Sequence, residues 1–401
     1  MHNCDPGRRA LLRSIAVGTA AGALPRFAFA EAGSDKRFVL VILRGAADGL
    51  SLCPPYGDGA YRKLRGELAL EAPGSSDGVF KLDALFGLHP AFENLYKAYG
   101  RSEAAIVHAV ASPYRERSHF DGQDVVETGA GSAGALRDGW LNRALVPLGG
   151  TLGSERAIAM GQMTPLVLRG NESVTSWAPS RLRGASEDTL ARLQRLYADD
   201  PFFADRLDQA LRSQDIATDM ALGQQRPRRG REALADDMTH AARFLTADGG
   251  PQIAVIDSGG WDTHANQGAH QGQLANRFRQ LDQALEKLRT GLGDAWSETV
   301  VAVVTEFGRT AHVNGTRGTD HGTGAAAVLL GGAVHGGRVV ADWPGLGERD
   351  LYENRDLAPT ADLRGVFKSV LVEHLALDAA FVDRIVFPDS AGAPPVEGLI
   401  A

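Results

Sequence analysis

The sequence predicts an α/β protein with a mixed, mostly parallel central sheet, helices on both faces, one late antiparallel strand and a helical cap insertion. Three observations predict it. Short continuous apolar runs alternate with stretches of helical periodicity, the pattern of strands buried on both faces and joined by crossover helices. Acidic and imidazole residues collect in glycine-rich loops that directly follow those runs. The link before the last run lacks a helical pattern, so the strand it leads into should turn back against its predecessor.

The elements follow in order. Residues 37–43 (Arg-Phe-Val-Leu-Val-Ile-Leu) form the first strand and run into the turn-rich loop Arg44-Gly45-Ala46-Ala47-Asp48-Gly49. Residues 104–111 enter a loop that ends in Arg115, Glu116, Arg117, Ser118 and His119. Residues 252–256 enter the loop of Asp262 and His264, and 299–304 enter Thr305-Glu306-Phe307-Gly308. Residues 325–330 form a fifth strand, preceded by Asp320-His321-Gly322. Apolar residues at mixed three and four spacing predict helices over 91–99, 120–127, 273–292 and 363–375. Residues 171–247 are charged and helix-prone, broken at Asp200-Pro201 and at 226–230, and read as an inserted helical cap.

In a parallel sheet, ligands gather at the carboxyl ends of strands. Asp48, Ser118, Asp262 and Glu306 all follow a strand and should share one edge. His321 precedes its strand, and the antiparallel return brings it to that same edge. Carboxylates and imidazoles converging there suggest a divalent metal site. Each residue also has an ordinary role open to it. Asp262 can cap a helix beside a surface His264, Glu306 can pair with Arg309, and Asp48 and Asp320 can cap turns. Ser118 stands at a helix start, where backbone N–H groups favour an oxyanion, but it is also a good N-cap. Arg115 or Arg117 can clamp a phosphate or sulfate oxygen, or remain solvated. His89 marks a helix start and His108 lies within a strand as a core residue. His240 and His374 belong to helical patterns, and His270, His312 and His335 read as surface residues.

Composition narrows the functions. The chain has 401 residues, 44% hydrophobic and 23% charged, which is globular. A net charge of -7 argues against nucleic-acid binding through a generally basic surface. Residues 1–30 read as a twin-arginine signal peptide: Arg8-Arg9, a moderately apolar stretch over 15–24, and Ala28-Phe29-Ala30 as the cleavage pattern. The expected address is periplasmic or otherwise exported, with the translocase as a partner. Losing that segment takes the charge from -7 to -10 and leaves Cys53 alone, so an internal disulfide cannot form. The apolar stretch is too short for a comfortable membrane span and no later run approaches that length. Residues 31–401 are expected to form a single domain. The loop 44–49 lacks both the P-loop lysine and the dinucleotide spacing, so no nucleotide signature is present.

Residues 39–50, 108–142, 259–270, 300–310 and 319–322 together resemble the exported family known as domain of unknown function 1501. That family is similar to the alkaline phosphatase and sulfatase superfamily. The resemblance implies an alkaline phosphatase-like fold, one or two divalent ions (Zn, Mn or Ca), and hydrolysis of a phosphate or sulfate ester on a small molecule or glycan. It implies that Asp48 binds the metal activating the nucleophile, that Asp262 and His264 form an acidic/His ligand pair, and that His321 is the late metal-binding histidine. Glu306 falls where relatives have Asp followed by His, and Phe307 departs from that pattern. The stretch from Ser118 through Thr128-Gly129 to Asn142 resembles the nucleophile helix, but counting back from Thr128 lands on His119. Cys53 lies outside any sulfatase-like signature. The expected ligands are thus Asp48, Asp262, His264, Glu306, Asp320 and His321, with Ser118, His119 and Arg115 as catalytic residues. The alternative is a non-catalytic exported protein of the same fold that binds envelope or polysaccharide ligands. An oxidoreductase would also suit twin-arginine export but lacks a cofactor signature.

Overall fold

The computed structural model describes residues 35–149, 156–179, 187–197 and 233–401, with isolated positions between 200 and 211. The expected signal peptide and most of the expected cap lie outside the described residues. The strands are β1 (Arg37–Arg44), β2 (Phe80–Lys81), β3 (Gly87–Leu88), β4 (Ala104–Ala111), β5 (Ala157–Met160), β6 (Thr175–Trp177), β7 (Ile253–Gly259), β8 (Thr299–Thr305), β9 (Ala325–Leu330), β10 (Arg338–Val340) and β11 (Ala361–Asp362). β2 and β3 form a small separate hairpin. The remaining nine make one sheet in the order β10-β4-β9-β8-β1-β7-β5-β6, with β11 also on β4. β1 pairs in parallel with β7 and β8, and β5 in parallel with β7 and β6. Among the described strands of this sheet only β9 runs antiparallel, between β8 and β4.

The alternation along β1 shows why the sheet is central. Val39, Val41 and Leu43 enter the core on one face, and Phe38, Leu40 and Ile42 enter the core on the other. Helix α8 (Gln273–Leu292) covers the first face with Leu274, Phe278, Leu281, Leu285 and Leu288, a three-four spacing that turns one stripe inward. Helix α7 (Ala233–Thr246) packs beside it through Met238, Ala241 and Phe244. The opposite face is covered by α5 (Trp140–Leu145) and α9 (Leu363–Ser369), where Trp140 stacks on Phe367 with ring centroids 4.5 Å apart. The remaining helices are α1 (Gly49–Leu52), α2 (Tyr61–Arg65), α3 (Glu93–Gly100), α4 (His119–Thr128), α6 (Glu187–Tyr197) and α10 (Ala379–Phe381).

Several expectations need adjusting. β7 extends to Gly259 because Asp257 and Ser258 still pair with Ile42 and Leu43, although their polarity reads as loop. The helix expected over 363–375 leaves α-geometry after Ser369 and continues as a π-turn over Val370–His374. Two parts of the expected cap belong to the main body: β6 extends the sheet beside β5, and α7 is a core helix. Pairing with β5 in one case, and burial of Met238, Ala241 and Phe244 in the other, overrides the polar composition that suggested an insertion. Among the described residues no helix is long and apolar enough to cross a membrane.

Among the described residues four histidines are buried within this frame: His89, His108, His240 and His374. Burial pushes His89, His108 and His374 each down to about 4, against an ordinary 6.5. They fold neutral, so the unfolded chain binds more protons between pH 6.5 and 4. Each should therefore remove about 1.4 kcal/mol of stability per pH unit as the pH falls through that window. Asp237, pushed up to about 7 by burial, works in the opposite sense. Urea titrations between pH 7 and pH 4 should show falling stability, and a flat profile would contradict neutral burial of these rings.

Candidate metal centre

The link from β8 to β9 is a narrow ribbon. Gly308 donates to Thr323 at 2.9 Å, Gly322 donates to Gly308 at 2.8 Å, and Arg309 bridges His321 antiparallel. Gly322 allows this approach, since a Cβ there would lie 2.4 Å from the Arg309 carbonyl carbon. The ribbon carries His321 back to the edge where β1, β4, β7 and β8 end. On the neighbouring loop, Gly45 has φ +120° and a Cβ would lie 2.7 Å from the Asp262 nitrogen. The β1 and β7 loops therefore pack backbone to backbone, which sets the position of Asp262.

Three imidazoles surround the Asp262 carboxylate. Each has Nδ1 against an acceptor, and a neutral ring that donates there turns the Nε2 lone pair toward Asp262. His119 Nδ1 donates to Glu306 Oε1 at 2.7 Å, His264 Nδ1 to Asp320 Oδ1 at 3.2 Å, and His321 Nδ1 to the Arg117 carbonyl at 2.9 Å. The Nε2 atoms of His264 and His321 lie 3.0 and 3.3 Å from Asp262 Oδ1 and 3.1 Å from each other. His119 Nε2 lies 3.5 Å from Asp262 Oδ2 and is buried without a hydrogen-bond partner. One ligand atom each from His119, Asp262 and His321 falls within 4.8 Å of the others. Lone pairs facing one another need a proton or a cation between them. Imidazole nitrogens with one carboxylate suit a borderline divalent ion such as zinc, whereas calcium prefers an all-oxygen shell. The residues present thus fit a single metal ion. Asp262 keeps 37% of its side chain exposed, so the cluster opens to solvent.

Charges around the cluster are set by its neighbours. Burial pushes Asp262 upward, but Arg309, with Nη1 at 2.5 Å from Oδ1, outweighs it and holds the carboxyl below its ordinary value. Burial likewise opposes ionisation of Glu306, and its hydrogen bonds from His119 and Gly45 prevail. The bond to Glu306 raises His119, against burial. Burial and the nearby His119 lower His321. Arg117 adopts φ +65°, uncommon outside glycine, and this turn presents its carbonyl to His321.

The other expected residues fall elsewhere. Asp48 caps α1 and faces Arg65, Ser51 Oγ at 2.8 Å and Gln267 Nε2 at 2.7 Å, in a fully buried pair with the Arg65 guanidinium. It is an ion-pair residue here, not a member of the ligand cluster. Glu306 pairs with His119, not with Arg309, which turns instead to Asp262. Asp320 stands behind His264. Arg115 is turned onto its own loop, toward the carbonyls of Ser112 and Tyr114. Ser118 is the residue before α4, but its hydroxyl makes no capping bond. The His119 ring, one residue on, enters the cluster. Phe307 stacks on that ring at 5.0 Å and fills the space beside it with Ala46, Tyr114 and Val125. Sequence reasoning missed Arg65, Gln123 and the Arg117 carbonyl, since none stands in a motif with its partner.

A family model described as "Protein of unknown function (DUF1501)" matches residues 96–386. The chain belongs to this family. No curated protein matches it. Among solved structures, it is similar to the zinc complex of the C-terminal periplasmic domain of EcEptC from Escherichia coli, at 10% identity and TM-score 0.40, covering 94% of this chain and 96% of that one. It is also similar to a phosphonate monoester hydrolase of Agrobacterium radiobacter, at 12% identity and TM-score 0.37, covering 85% and 74%. A third is the PsFucS1 sulfatase from Pseudoalteromonas sp., at 13% identity and TM-score 0.35, covering 84% and 68%. Likenesses this weak assign no activity to a member of the family.

Arg65→Leu strands a buried carboxylate and should cost about 3–5 kcal/mol of unfolding free energy, whereas adding Asp48→Asn should restore part of it. Urea denaturation of the single and double variants measures both. An Arg65→Leu protein of unchanged stability would show that the pair is not coupled.

Proposed function

We propose that the protein is an exported metal-dependent hydrolase of phosphate or sulfate esters, working with one metal ion. The single observation behind this reading is the buried, unpartnered Nε2 of His119 aimed at Asp262 beside His321. His119, Asp262 and His321 would hold the ion, with His264 beside them. Bound there, a metal would polarise the ester oxygen and lower the pKa of a water. A second ion is disfavoured by Phe307, which packs beside His119, and by Arg65, which already neutralises Asp48. The family resemblance read from the residues supplies the ester class, and the twin-arginine pattern of residues 1–30 supplies export.

The surrounding residues fix the site before substrate arrives. Glu306 and the Arg117 carbonyl hold two rings with Nε2 inward, and Arg309 keeps Asp262 ionised. Among the described residues Arg115 has carbonyl partners and no paired carboxylate, so its charge can steady a substrate anion at the start of α4. Among the described residues no base is hydrogen-bonded to the Ser118 hydroxyl, so an activated water is the nucleophile this arrangement favours. A second reading, a non-catalytic metal protein binding an envelope or polysaccharide ligand, draws on one observation. The imidazole of His119 takes the place near the helix start where the resemblance implies a nucleophile.

Turnover of aryl phosphates and aryl sulfates by the zinc- or manganese-loaded protein tests the proposal. Asp262→Ala should abolish activity, and Ser118→Ala should keep most of it. Unchanged turnover in Asp262→Ala would remove the cluster from the mechanism. No turnover by the loaded wild-type protein across the panel would favour the non-catalytic reading.

A further inference from the structure

We propose that Glu306 is a positioning residue and not a metal ligand: it locks His119 through Nδ1, and Gln123 and Arg44 lock Glu306 in turn. The inference rests on the metal-site reading above. Glu306 is fully buried, and its oxygens are already surrounded. Oε1 receives Gly45 N at 2.8 Å, His119 Nδ1 at 2.7 Å and Gln123 Nε2 at 3.3 Å, and the Thr305 hydroxyl lies 2.9 Å from Oε2. The two ring nitrogens of His119 point in divergent directions. With Glu306 on Nδ1 and Asp262 beside Nε2, the imidazole stands between the Glu306 carboxylate and the ligand cluster.

Gln123 lies one turn after His119 on α4, so both side chains leave the same helix face. Its amide cannot turn freely. Oε1 accepts from Arg44 Nη1 at 2.9 Å, which directs the NH2 toward Glu306. Arg44 is itself held by Glu127 at 2.8 Å and Asp257 at 3.0 Å. The result is a polar strut from β7 through the end of β1 to α4 and the end of β8. It accounts for a group of charges at the sheet edge that the ligand set leaves unexplained. An anionic partner on Nδ1 fixes the ring tautomer and makes Nε2 a better donor, and losing such a partner lowers metal affinity by about 10–100-fold.

The test uses metal-free full chain, zinc affinity by competition with a chromophoric chelator, and the visible spectrum of the cobalt-substituted protein. Glu306→Gln should still bind one equivalent, about 10–100-fold more weakly, with the cobalt bands at wild-type positions. Gln123→Ala, a half-buried position that leaves the carboxylate in place, should weaken binding in the same direction and by less. Wild-type affinity in both variants would overturn the proposed strut. Cobalt bands shifted to a different coordination number in Glu306→Gln would show that Glu306 is a ligand, which also overturns it. If the wild-type chain itself bound neither metal, the metal-site reading would fail, and this inference with it.

Discussion

The site depends on the electrostatic demand at Asp262. One carboxylate at the edge of the sheet faces three imidazole Nε2 atoms and the buried Arg309 guanidinium. Arg309 keeps it ionised despite partial burial. The imidazoles are not free to turn away, because each Nδ1 is committed to an acceptor behind it. His119 Nε2 has no partner, and ring nitrogens crowded this closely around one carboxylate are an unfavourable arrangement unless something positive joins them. The same arrangement, which costs stability when empty, is what gives affinity for a cation.

The fold exists, in this sense, to bring distant residues to one carboxylate. His119 comes from the start of α4, Asp262 and His264 from the loop after β7, and His321 from the ribbon before β9. Only the reversal of β9 places His321 on the edge where the parallel strands end. The close approach of Gly45 to the Asp262 backbone fixes the spacing between two of these loops. Rings held by carboxylates and a carbonyl on a rigid sheet edge are preorganised, which is what a metal site on loops otherwise lacks.

The fold was largely legible because its signals are local. The five long apolar runs are β1, β4, β7, β8 and β9, and the absence of a helix between β8 and β9 was enough to set the antiparallel strand. β6 was not legible: its three residues sit in a polar stretch and gain strand geometry only from β5. The candidate site divides along the same line. Topology alone sends Asp262, His264 and His321 to one edge, and the structure brings them together. Asp48 was sent there too, but Arg65 on α2 reaches it, and nothing in the spacing of a short helix announces that contact. The sequence offers Glu306 two roles, metal ligand or partner of Arg309. Its partner is His119, far along the chain and hidden by the more obvious Arg309 nearby.

X-ray absorption of the zinc-loaded protein tests the account most directly, because it counts the atoms around the ion. The account predicts one zinc per chain, nitrogen and oxygen neighbours at about 2.0–2.1 Å, and the multiple-scattering pattern of at least two imidazoles. A stoichiometric ion in an all-oxygen shell, or no bound zinc, would contradict it.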